Sequence, residues 1–391
     1  MNRSTKRSNA KMILWGQQCS AWSGKIRCFL IKKGIDFEER LPAESYFRDQ
    51  IVPLIGYFVI PVVELQNGVL LQDSTETMVY LEQNRDYPSL VPETPVQRTI
   101  AWILNFFGSD GFAKPGMHYR WGFPQNSSSL AEDFIEWTSA ASSLGERRKE
   151  TAVLMERYGS YRPMLGVTPE TIPSIEASWL DCLDLLDTHF ARYPYVLGGR
   201  PSIGDCGLMT WFYAHLSRDP CPSKIMKEKA PNVFRWTKRM NCVGFADSDF
   251  PHAAPDYYPN DQLPDTLVSF IRYLFSDGGP EVRETILAFN RWMKENPNFA
   301  SGDVLRPEGS QSAPHPGFSW IEYGLRGTII KRMGFIDTVY QVQEVAKIVD
   351  ALEETHKKRL REALGSADNE WILNLRPQKS IKYELYQYVL S

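Results

Sequence analysis

The period of apolar positions changes along the chain, and the change divides it. Met12 to Trp15 (MILW) is an apolar run of strand length. From Ser23 to Lys33, residues Ile26, Phe29, Leu30 and Lys33 recur at helical spacing until Gly34 supplies a C-terminal stop. Asp36 to Leu41 alternates, with Phe37 on one face. PVVEL, QNG and VLLQ read as a hairpin, because Asn67-Gly68 accepts the positive φ angles of a tight turn. Ser74 to Gln83 resumes a helical period through Met78, Tyr80 and Leu81, with Ser74 as its N-cap. The order β-α-β, an irregular stretch, then β-β-α predicts a small α/β unit with a mixed sheet over residues 12–90.

From about Pro95 strand signals vanish. VQRTIAWILNFFG and SIEASWLDCLDLLDTHFARY are amphipathic, with Ile175, Trp179, Leu183 and Leu186 on one face of the second. Ser202 and Asp205 stand in an S-x-x-D pattern before an apolar run, a capping-box start. A Pro-, Asp- and Tyr-rich passage near residue 255 reads as a boundary. Beyond it TLVSFIRYLF, VRETILAFNRWMKE and TVYQVQEVAKIVDALEETHKKRLREAL are helical, with the polar break ASGDVLRPEGSQSAPHPG between the last two. Val345, Ile348, Val349 and Leu352 give that last helix a stripe that packs on the body. The pattern predicts a helical domain over 95–255 and a helical extension over 256–391.

Composition narrows the class. With 391 residues, 43% hydrophobic and 23% charged, the chain has enough apolar material for a sizeable core. A net charge of −3 argues against a general nucleic-acid binder. The local excess of Arg3, Lys6, Arg7 and Lys11 reads as a disordered, solvated arm over residues 1–11. No apolar run approaches the ~18 residues of a membrane span. Six cysteines without C-x-x-C pairs read as reduced thiols, and six scattered histidines without ligand spacing argue against a metal site. These features predict an intracellular, cytoplasmic protein.

Specific residues narrow it further. SAWSGKIRCFLIKKGIDFEE, VIPVVEL, LQDSTETMVYLEQ and GGRPSIGDCGL occur in the order and near the spacing of four motifs of the glutathione transferase superfamily, which residues 12–250 resemble. The resemblance implies a thioredoxin-like α/β domain, an all-α transferase-type domain and, here, an atypical helical extension. It also implies glutathione as co-substrate, a small hydrophobic electrophile as second substrate, a cis bond at Pro61 and a C2 homodimer.

Aligned on K-I-R, Ser20 falls where the resembling enzymes carry their active serine or cysteine. Physically, a hydroxyl at a helix N-terminus can donate to a sulfur anion already favoured by the unpaired amides and the helix dipole. Ser23 takes the second position of the redox C-x-x-C frame, so dithiol exchange is disfavoured. Cys19 is the alternative reactive group, which would shift the chemistry toward thiol transfer. Asp73 and Ser74 are implied to hold the γ-glutamyl group, and the backbone of Ile60, before Pro61, to pair with the tripeptide as an added strand. GYFVIP offers no amine or amide for the glycine carboxylate, leaving Arg48 as substitute. Trp22, His118, Tyr119, Arg120 and Trp121 either line an electrophile pocket or pack at a helix end. A non-catalytic scaffold of the same fold, docking through the extension, is the competing reading.

Overall fold

The computed structural model describes residues 11–84, 86–306 and 315–391. The basic arm lies, apart from Lys11, outside the described residues, as does part of the polar break. Strands β1 (Met12–Trp15), β2 (Phe37–Arg40), β3 (Val62–Glu64) and β4 (Leu70–Gln72) form one sheet in the order β2-β1-β3-β4. β2 runs parallel to β1, with Met12 opposite Phe37, while β3 runs antiparallel to β1 and β4 antiparallel to β3. Helix α1 (Ala21–Lys33) makes the parallel crossover; α2 (Val52–Ile55) follows a π turn at Phe47–Ile51, and α3 (Ser74–Glu82) closes the unit. This is the thioredoxin-like arrangement.

Local chemistry explains these elements. Gly34, at φ 74°, takes the left-handed position that ends α1 and returns its amide to Ile31 and Leu30. In the β3–β4 turn only Gly68 has positive φ, and the Leu65 carbonyl receives its amide at 2.8 Å. The N-cap of α3 is Asp73 rather than Ser74: its Oδ1 accepts from the amides of Thr75 (2.7 Å) and Glu76 (3.1 Å).

The helical domain comprises α4 (Pro95–Asp110), α5 (Ala113–Trp121), α6 (Ser127–Ile135), α7 (Leu144–Gly159), α8 (Ile172–Phe190), α9 (Ile203–Trp211), α10 (Pro220–Lys229) and α11 (Pro231–Arg239). α4 and α9 touch through backbone, since a Cβ on Gly108 would lie 2.3 Å from the Gly207 carbonyl carbon. The S-x-x-D start of α9 is a true capping box. Asp205 accepts from Ser202 N and also from Val196 N and Trp236 Nε1, so one buried carboxylate joins three segments. α1 is buried between sheet and helices. Its Lys25 ammonium donates to Thr75 Oγ1 on α3 and Ser109 Oγ on α4, each at 3.0 Å, and burial pulls its pKa down to about 8.

The extension holds α12 (Asp265–Tyr273), α13 (Gly279–Glu295), β5 (Gly317–Leu325), β6 (Thr328–Phe335), α14 (Ile336–Asp350), α15 (Glu354–Leu364), β7 (Ile381–Glu384) and β8 (Gln387–Leu390). The two hairpins depart from the all-helical expectation. β5 does alternate, burying Ile321, Tyr323 and Leu325, but its turn is Arg326-Gly327, both at positive φ. The β7–β8 turn is Leu385-Tyr386, at φ 48° and 63°, without glycine or asparagine to mark it. The long last helix is also split, with Glu353 in extended conformation starting α15. The extension folds back over the molecule: α14 packs on α4, and Tyr340 reaches Glu76 on α3. Among the described residues, no helix is long and apolar enough to cross a membrane.

Candidate functional site

At the mouth of α1, Ser20 has extended dihedrals (φ −82°, ψ 125°) and caps the helix, its Oγ accepting from Ser23 N at 3.4 Å. That bond uses a lone pair and leaves the hydroxyl proton to donate. Ser20 is buried, at 6% exposure. Cys19 is sealed beneath it. Its thiol donates to Gln17 Oε1 at 3.3 Å, and burial pushes its pKa up to about 12 against the pull of Arg120. A thiol so held stays protonated and unreactive at neutral pH. Alkylation of the native protein at pH 8 is therefore expected at exposed Cys242, with Cys19 modified only after denaturation; peptide mapping showing early Cys19 labelling would contradict this burial.

The second wall is the turn into α3. The Ile60–Pro61 bond is cis, and Ile60 is buried. Asp73 has φ 67° and ψ 129°, a backbone region costly for any side chain and therefore a place to look for function. With Oδ1 capping the helix, Oδ2 remains for another partner. Ser74 is buried beside it.

That partner comes from the far end of the chain. Tyr388 on β8 donates its hydroxyl to Asp73 Oδ2 at 3.3 Å. Tyr383 on β7 bonds Gln72, Tyr57 donates to the Tyr386 carbonyl at 2.9 Å, and Tyr386 donates to the Leu70 carbonyl at 3.4 Å. Burial, with Asp73 nearby, raises the Tyr383 and Tyr388 phenol pKa values, so both hydroxyls stay neutral donors. A shallow cleft, open to solvent, remains between Tyr57, Arg306, Pro316 and Tyr388. Beside α1, Trp22 stacks on His315 at 4.8 Å, and His315 pairs with Asp337 at 2.7 Å.

Other residues singled out in the sequence go elsewhere. Arg48 bonds the Trp137 carbonyl and lies over Phe58, so it is tied to the segment after α6. His118 bonds Glu176 at 2.8 Å, and Tyr119 stacks on Phe123. Arg120 forks onto Asp219 (2.7 and 3.0 Å) and also donates to the carbonyls of Cys19 (2.8 Å) and Ala214. Trp121 packs on Phe134. His118, Tyr119 and Arg120 are buried packing and bolting groups, not the lining of an open pocket; Arg120 alone reaches the mouth, through the Cys19 backbone. Sequence reasoning missed the tyrosines of the last strands, which no local motif marks. Among the described residues, no cluster of three or more His, Cys, Asp or Glu side chains is placed to hold a metal.

Residues 169–239 match the family model for the glutathione S-transferase C-terminal domain. That segment, α8 to α11, is similar to the C-terminal domain of glutathione S-transferases, and it follows a four-stranded sheet of thioredoxin-like order. Similar solved structures include a glutathione S-transferase from Rhodospirillum rubrum F11, 15% identical, covering 66% of this chain and 99% of its own, with a TM-score of 0.36. Glutathione transferase GSTFuA3 from Phanerochaete chrysosporium is 13% identical, covering 61% and 100%, with a TM-score of 0.42. β-Etherase LigF from Sphingobium sp. strain SYK-6 is 16% identical, covering 61% and 97%, with a TM-score of 0.38. No curated protein matches the chain.

Proposed function

We propose that this protein is a glutathione-dependent transferase of the serine type, with residues 12–90 holding the tripeptide and residues 95–255 bounding the second substrate. The observation that carries the reading is Ser20, a helix-capping hydroxyl whose proton is left to donate at the mouth of α1. Glutathione sulfur placed there loses its proton to solvent. The thiolate is then held by the Ser20 hydroxyl and the α1 amides, and its lone pair attacks an electrophilic carbon of a small hydrophobic substrate as the leaving group departs. Conjugation, ether or halide cleavage and isomerisation share this thiolate. Asp73 would pair the γ-glutamyl ammonium, and the Ile60 backbone would take the peptide as a short strand.

The test is calorimetry with glutathione, followed by pH titration of thiolate absorbance in the complex. A hydrogen bond to a charged acceptor is worth about 1.5–3 kcal/mol, or roughly one to two pKa units. Ser20→Ala is expected to raise the bound thiol's pKa by that amount, while Cys19→Ala leaves it unchanged. A wild-type complex with an unshifted thiol pKa would sink the catalytic reading. The Tyr388–Asp73 bond favours a second reading, a binding scaffold of this fold whose site is shut by its own chain; it expects no heat of glutathione binding.

A further inference from the structure

The γ-glutamyl end of the site already has an occupant, and that occupant belongs to the same chain. We propose that the β7–β8 hairpin is an internal competitor for this subsite: the Tyr388 hydroxyl holds the Asp73 carboxylate oxygen that a γ-glutamyl ammonium would take, and a γ-glutamyl thiol binds by displacing the hairpin. The inference rests on the tripeptide reading above and adds its regulation.

Three observations support displacement rather than permanent closure. First, Asp73 spends Oδ1 on two α3 amides, so a ligand cation must come to Oδ2, the oxygen that the Tyr388 hydroxyl already holds, and the two partners compete for it. Second, the hairpin is a separate two-stranded sheet, not a fifth strand of the main sheet. Its hold on the first domain is by hydroxyls at Asp73, Gln72 and Leu70, by the Tyr386 carbonyl, and by the Tyr386 ring packed on the apolar cluster around Trp15 and Phe47. Its main-chain bonds outside the hairpin run to Gly302, Asp303 and Leu305 and to the Gln343 side chain on α14, all in the extension, so release from the first domain breaks no ladder with β4. Third, the tip is strained: Leu385 has φ 48° and is 89% exposed, a left-handed position that disfavours a branched apolar side chain and gains nothing from packing.

Closure lowers apparent affinity by the fraction of molecules that are open. The test uses full-length protein, glutathione calorimetry and hydrogen exchange. Tyr388→Phe keeps the ring but removes the donor to Asp73, and glutathione affinity is expected to rise on the order of tenfold, the worth of one hydrogen bond to a charged group. Leu385→Asn relieves the turn and stabilises the closed hairpin, so affinity is expected to fall several-fold. In the wild type, saturating glutathione is expected to speed exchange in 381–391 while slowing it at 73–77. Equal affinity in all three proteins, or unchanged exchange in 381–391 on binding, overturns the competitor and leaves the tripeptide reading standing. No binding by any of the three, Tyr388→Phe included, overturns the tripeptide reading and the competitor with it.

Discussion

Glu281→Ala is expected to destabilise the protein by about 3–5 kcal/mol, the range for removing one member of a buried ion cluster. Glu281 is 3% exposed and accepts from Lys114, Arg332 and Tyr323, the last at 2.7 Å. Lys114 comes from the helical domain, while Glu281, Tyr323 and Arg332 come from the extension, so the carboxylate is where the two are riveted. Removing it takes the acceptor from Lys114 and from a phenol proton away from water and leaves Arg332 the more distant Asp110 carboxylate as counter-charge. Glu281→Gln keeps one acceptor and should cost less. Denaturant midpoints give the magnitude, and limited proteolysis gives the place, with faster cleavage around β5–β6. A midpoint shift below about 0.5 kcal/mol, the size of an ordinary surface substitution, would show that the cluster does not hold the extension down.

Arg120→Ala is expected to cost a similar ~3–5 kcal/mol and to disturb the site as well. The guanidinium neutralises Asp219, itself 2% exposed, and supports the Cys19 carbonyl one residue before Ser20. Burial already raises the Asp219 pKa against the pull of Arg120, and without the arginine it rises further. A carboxylate whose folded pKa lies above its unfolded value contributes most below the unfolded pKa and loses that contribution as pH rises through the folded one. The variant's deficit against wild type is therefore expected to shrink on acidification and grow toward neutral pH. Arg120→Lys retains the charge but not the fork and should restore only part of the stability. A deficit independent of pH would mean that Asp219 is not left unpaired. Glutathione binding by the variant should weaken as the Cys19–Ser20 turn loses its support.

Much of the architecture was legible because its signals are local. Gly34 stops α1, Gly68 turns the β3–β4 hairpin and the Ser202–Asp205 box starts α9, each within a few residues of the signal. Asp73 and Ser74 were legible as a pair but not in their roles, since a positive φ at an aspartate moves the cap one residue back. The cluster from His118 to Trp121 carried no sign of its fate, because its partners Glu176 and Asp219 lie 58 and 99 residues away. Tyr388 and Asp73 are 315 residues apart. The Leu385-Tyr386 turn lacks the residues that usually advertise positive φ, so a hairpin that reaches Asp73 reads in the sequence as part of a helical extension.

Lys25 has a mechanical consequence. Its ammonium, anchored in α1, bonds a threonine of α3 in its own domain and a serine of α4 across the seam, so a swivel of one domain against the other would tear the cation from the Ser109 hydroxyl inside a dry interface. A molecule stitched this way does not breathe like a clam. On the competitor reading, whatever enters comes under a peeled edge, with the control of traffic at the periphery and the seam still.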